Sequence, residues 1–245
     1  MSGHSKWNNI AKRKGANDAK KAAIFTKIGR KMAVAIKEGG SANPDINAKL
    51  RDCIAEAKAN NVPNDNIKRM LDRGNASNAN YEANTYEGYG VGGIAVICET
   101  LTDNRNRTVA DVRHYFDKYG AGLGNAGCVS WQFEKKGVII IERGDLDEDE
   151  TMMTALDAGA DDFQADEECF QIYTSPEDFS TVREALEGAG LEFAQAEIQM
   201  VPSNSITLES QDDMANMRKL LDALEDNDDV QYVWHNWENE DEFEG

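Results

Sequence analysis

The sequence predicts an α+β, multidomain fold: an N-terminal three-helix bundle followed by two ferredoxin-like α/β domains, one inserted into the other. Three observations predict it. Residues 1–73 place apolar side chains at helical spacing between Gly and Pro punctuation. From Val91 onward, short β-branched runs alternate with amphipathic helical stretches. Residues 136–200 also contain a complete β-α-β-β-α-β set, whereas 91–134 and 205–234 each supply half of one. Two separate half-domains would leave sheet edges open, so insertion of one domain into the other is the economical solution.

In chain order, Asn17 or Asp18 caps a helix that runs to about Glu38, where Gly39-Gly40 stops it. Phe25, Ile28, Met32, Ala35 and Ile36 form its buried stripe. Asn43-Pro44-Asp45 opens a second helix, and Pro63 a third that carries Ile67, Met70 and Leu71. The small, polar stretch 74–85 reads as a linker. A strand is expected at Val91–Thr100, a helix at Arg107–Tyr119 and a strand at Cys128–Glu134. The inserted domain spans 135–202 and the outer domain 86–134 plus 203–245. The outer domain closes with strand Ser205–Leu208, helix Asp212–Leu224 and strand Val230–Trp234.

Charge is divided unevenly. Residues 1–73 carry sixteen Lys/Arg against seven Asp/Glu, and the remainder carries ten against thirty-eight, for a formal net charge of −19. A basic end on an acidic body points to a polyanion held at that end, the body being repelled. The alternative is a solvated helix face. The N-terminal apolar run Met32–Ile36 is too short for a signal peptide, and no run approaches a membrane span. A cytoplasmic protein without membrane attachment is expected. Cys53, Cys98, Cys128 and Cys169 are widely spaced and read as reduced structural thiols.

Motifs for catalysis fail on context. Gly88–Gly93 matches G-x-G-x-x-G by letter but precedes a strand, where a dinucleotide turn would follow one and open a helix. Asp145–Glu150 imitates a calcium loop but has Glu150 at the obligatory glycine and Leu156 at the closing glutamate. His4, His114 and His235 are isolated. No cofactor, metal, small-molecule substrate or enzymatic activity is indicated.

The candidate nucleic-acid contacts are Lys6, Trp7, Lys12, Arg13, Lys14, Lys20, Lys27 and Lys31, with Arg105 and Arg107 of the loop Thr102–Thr108. Lys20, Lys27 and Lys31 share one helix face, suited to phosphates. Trp7 either stacks on a base or anchors the leading arm. The Asn-Arg loop meets a helix N-terminus, a natural anion seat. It reads equally as a capping loop whose arginines pair with nearby carboxylates.

The stretches GHSKW (3–7), IFTKIGRKM (24–32), VPNDNIKRML (62–71), YEGYGVGG (86–93), LTDNRNRT (101–108) and GLGNAGCVSWQF (122–133) resemble the YebC/PmpR family almost end to end. That family also includes the mitochondrial translational activator of cytochrome oxidase I. The resemblance implies a helical domain followed by two α/β domains, no catalysis, and DNA-binding transcriptional regulation or action at the ribosome. Ala121 and Cys128 stand where the family usually has glycine and serine. An acidic protein-interaction module without nucleic acid is the alternative of another class.

Overall fold

The computed structural model describes residues 18–76 and 80–243, with side chains from residue 22. Two compact units emerge: residues 18–132 with 204–243, and residues 133–203.

In the first unit, helices α1 (Asp18–Gly39), α2 (Ala48–Ala59) and α3 (Asn64–Ala76) enclose a core of Ile28, Met32, Ala35, Ile36, Leu50, Ala57, Val62 and Ile67. The heptad-like stripe of α1 is therefore its buried face. The α1–α2 corner is fixed by Asn47, which is only 4% exposed. Its Oδ1 caps α2 by accepting from the Leu50 N–H (3.1 Å), and its Nδ2 donates to the carbonyls of Ala35 (2.8 Å) and Ser41 (2.9 Å). A Cβ on Gly39 would lie 2.4 Å from Asn47 Nδ2, so the close approach requires glycine there.

The α/β part of this unit contains β1 (Glu82–Tyr89), β2 (Ala95–Thr102), helix α4 (Arg105–Tyr119) and β3 (Gly122–Leu123). Later in the chain come α7 (Gln211–Glu225) and β8 (Val230–His235), after the elements of the second unit. The sheet is antiparallel in the order β3-β1-β2-β8. Val96, Cys98 and Val230 pack against Val112 and Phe116 of α4 and Met214, Met217, Leu220 and Leu224 of α7.

Three sequence expectations change here. Strand β1 begins at Glu82, inside the stretch read as a linker, and α3 runs to Ala76. Its sequence, EANTYEGY, is poor in strand formers. Pairing with β2 on one side and β3 on the other holds it extended, which is tertiary context overriding propensity. The glycine run then becomes the β1–β2 hairpin, with Gly92 and Gly93 at positive φ. The strand expected at Cys128–Glu134 is a 3₁₀ turn at Ser130–Gln132 leading into the next unit, and Ser205–Leu208 reduces to one bridge between Ile206 and Trp237.

The second unit is β4 (Phe133–Glu142), α5 (Glu148–Asp157), β5 (Asp162–Ala165), β6 (Cys169–Thr174), α6 (Phe179–Gly188) and β7 (Gln195–Pro202). Its antiparallel order β5-β6-β4-β7 is the ferredoxin-like arrangement. Ile139, Ile141, Phe170 and Ile172 face Ala155, Phe179, Val182 and Leu186 on the helices. The imitation calcium loop is a helix start: Asp147 Oδ1 accepts from the Glu150 N–H at 2.9 Å.

Candidate nucleic-acid interface

Lys6, Trp7, Lys12, Arg13 and Lys14 lie outside the described residues, as does the side chain of Lys20. The rest of the basic α1 face can be followed atom by atom. Its described cations, Lys27, Arg30 and Lys31, turn toward the α/β part of their own unit. Lys27 Nζ donates to the Glu225 carbonyl at 2.6 Å, at the end of α7, where carbonyls are unpaired and the helix dipole is negative. Burial lowers the Lys27 pKa against the opposing pull of Glu225, Asp228 and Asp226. Lys31 Nζ pairs with Glu56 (2.6 Å), bonds the Tyr232 hydroxyl (2.5 Å) and sits 4.0 Å from the Tyr232 ring centre.

Arg30 reaches Asp229, which is 3% exposed. Arg30 Nη1 lies 2.7 Å from Asp229 Oδ1 and 2.6 Å from the Asp228 carbonyl. The other carboxylate oxygen, Oδ2, accepts from Thr108 (2.7 Å), Arg107 (2.8 Å) and Thr102 (3.1 Å). Burial pushes the Asp229 pKa up, but the bonds from Arg107, Thr108, Arg30 and Thr102 outweigh it and hold the group below its ordinary value.

Lys27, Lys31 and Arg107, expected from sequence as phosphate contacts, thus have their charge engaged within the molecule. The sequence shows that they share a face, but not what the face meets. Arg107 also pairs with Asp103 at 3.0 Å, and Asn104 Oδ1 caps α4 through the Arg107 N–H, so the Asn-Arg loop is a capping loop. Arg105, the first residue of α4, is exposed. The open cleft beside Arg30 and Arg107, about 450 Å³, is rimmed by Asp103, Asp111, Asp226, Asp228 and Asp229. Carboxylates outnumber guanidiniums there, which disfavours a phosphate.

Exposed cations lie instead on α3. Lys68, Arg69 and Arg73 point outward while Ile67 faces the core. Arg69 and Arg73, four apart, share a face. Sequence reasoning passes over them; their spacing against the apolar Ile67, Met70 and Leu71 is the available signal.

A second constructed feature lies at the β1 end of the outer sheet. Glu87, 7% exposed, accepts from the backbone N–H groups of Gly127 (2.8 Å), Val129 (2.9 Å) and Ser130 (2.8 Å). Burial opposes the charged form, but these three bonds prevail and lower the pKa. The amides of Val129 and Ser130 are taken up by a carboxylate rather than a neighbouring strand, and Phe133 and Glu134 pair with β7 of the second unit instead. The Cys128 carbonyl in turn accepts from the Tyr89 hydroxyl (3.1 Å) and from Trp131 Nε1 (3.0 Å). Trp131 itself is 73% exposed. Among the described residues no helix is long and apolar enough to cross a membrane, and no three His, Cys, Asp or Glu side chains gather as a metal site.

These features define a helical head carrying exposed cations, joined to antiparallel α/β layers. Family models agree: the TACO1/YebC protein N-terminal domain matches residues 5–77, and the TACO1/YebC second and third domain matches residues 81–237. The chain belongs to the TACO1/YebC family. It is 57% identical to a probable transcriptional regulatory protein of Ruminiclostridium cellulolyticum, covering 100% of this chain and 99% of that one. A protein of the same description from Clostridium tetani is 56% identical, with full coverage of both. The crystal structure of a conserved hypothetical protein from Aquifex aeolicus matches with a TM-score of 0.79 at 40% identity, over 90% of this chain and 91% of that one.

Proposed function

We propose that this protein is a cytoplasmic, nucleic-acid-binding regulator of gene expression, acting on transcription as its relatives' names state. The observation that carries this reading is identity above one half, over the whole chain, to proteins named probable transcriptional regulatory protein. Those names describe regulators, and we read the chain as non-catalytic. Proposed phosphate contacts are Lys6, Lys12, Arg13, Lys14, Lys20 and Arg105, joined by the exposed Lys68, Arg69 and Arg73. Trp7 is a proposed base contact in the same arm.

A second reading, binding to ribosomal or other folded RNA, is favoured by the acidic remainder of the chain, whose ten Lys/Arg face thirty-eight Asp/Glu. Such a body is repelled by long duplex on both sides of a contact. Crosslinking in cells followed by sequencing of the bound nucleic acid separates the two. Selective promoter DNA supports transcription, and ribosomal RNA supports translation. Charge reversal at Lys12, Arg13, Lys14, Lys68, Arg69 and Arg73 should abolish recovery. Unchanged recovery would overturn the basic-head reading and favour a protein partner.

A further inference from the structure

We propose that Trp131 is a stacking platform for an unpaired nucleobase, presented on a loop that Glu87 holds rigid. The inference rests on the nucleic-acid reading above and names the part of the ligand that this second surface would take.

The geometry is that of a prepared contact. A large aromatic is ordinarily buried or anchored. Trp131 is 73% exposed although its own Nε1 is spent on the Cys128 carbonyl at 3.0 Å. The indole N–H is therefore satisfied by the loop's own backbone, and most of the residue is left to solvent. The backbone beneath it is fixed by the three N–H bonds to Glu87 Oε1 and Oε2 and by Tyr89 Oη on the Cys128 carbonyl. Gly124 lets the loop close on itself, since a Cβ there would lie 2.5 Å from Cys128 Sγ. A buried carboxylate, a tyrosine and a glycine thus set the position of one exposed ring, which reduces the ordering cost of binding.

Charge selects the occupant. Between Asp117 and Glu134 the chain carries no acidic residue, the longest such stretch after residue 74, and Lys118 opens it. In a chain otherwise dense in carboxylates, this stretch itself adds none to repel a phosphodiester strand. Glu87 is buried, and its negative charge is directed into the loop amides it accepts rather than toward solvent. Stacking tolerates every base and needs the base unpaired, so the ligand class is single-stranded RNA or DNA, or a splayed base in a folded RNA.

The test is titration of the full chain with fluorescein-labelled oligonucleotides at low salt: a 12-nucleotide oligouridylate, a 12-nucleotide oligothymidylate and a 12-base-pair duplex. Trp131→Ala should weaken both single strands by about fivefold or more, the lower bound for losing one stacked base. The duplex affinity should not change. Trp131→Phe, which keeps a ring but loses the indole N–H bond, should retain most of the single-strand affinity, separating stacking from loop support. Equal single-strand binding by wild type and Trp131→Ala, with binding itself intact, overturns the inference and leaves the nucleic-acid reading standing. A Trp131 that anchors a protein partner gives this result. Absence of binding to all three oligonucleotides by the wild type overturns both. A preference for oligouridylate over oligothymidylate, or the reverse, assigns the strand to RNA or DNA.

Discussion

At Asp229 two guanidiniums and two hydroxyls converge on one buried carboxylate, and that carboxylate joins α1 to α4 and β2. Removing it strands the Arg30 charge and takes the acceptor from Thr102, while Thr108 keeps only the Asn104 carbonyl at 3.1 Å. Asp229→Ala should cost about 3 kcal/mol, the lower end for breaking a buried ion pair from one side, as read by urea denaturation. Glu87 is the corresponding group for the 127–130 loop. Glu87→Gln places an NH₂ against backbone donors and should cost about 2 kcal/mol, with faster amide exchange at Gly127, Val129 and Ser130. Both carboxylates have folded pKa values below their ordinary 3.8 and 4.5. A depressed pKa contributes stability that is present above the unfolded value and lost as pH falls through the folded one. The urea midpoint should therefore hold through neutral pH and fall as pH drops below about 4.5. In Asp229→Asn and Glu87→Gln that acid limb should be shallower. An equally steep limb in both variants would assign acid sensitivity to other carboxylates.

Among the elements, the α1–α2 corner depends on one side chain. Asn47 caps α2 and satisfies two carbonyls of the α1 end at once. Asn47→Ala should cost about 1–2 kcal/mol, roughly a helix cap together with the exposed hydrogen-bonding groups it leaves. Gly39→Ala should be similar because its Cβ would displace Asn47. Thermal unfolding followed by circular dichroism measures both, and a change below about 0.5 kcal/mol would remove Asn47 from this role. Helix α1 itself uses two faces. Its apolar stripe packs within the bundle, while Lys27, Arg30 and Lys31 dock it to the α7 C-terminus, Asp229 and Tyr232.

For the molecule as a whole, charge determines what the head does to a ligand. If α3 binds phosphate, reversing Lys68, Arg69 and Arg73 should flatten the dependence of log affinity on log salt by about one unit for each phosphate no longer neutralised. Reversing Lys27 or Lys31 should lower stability more than affinity, because their partners are internal. Identical salt slopes in wild type and the α3 variant would move the interface to the basic residues preceding residue 18.

The three helices and their stripe are legible in the residues alone, since Phe25, Ile28, Met32 and Ile36 recur at the helical period and Gly39 and Pro63 punctuate it. So is the four-strand, two-helix pattern of the inserted unit, where Val138–Ile141 and Phe170–Tyr173 are strongly β-forming. These are local signals, written in spacing and propensity. Strand β1, in contrast, depends on long-range pairing, because its weak sequence is held by two neighbours. Long-range contacts likewise turn Lys27 and Lys31 inward, to partners 25 to 201 residues away along the chain, and pair the still exposed Arg107 with Asp229. The same holds for Trp131, whose exposure follows from a glutamate 44 positions earlier that takes the loop's amides; a linear pattern carries no record of that distance.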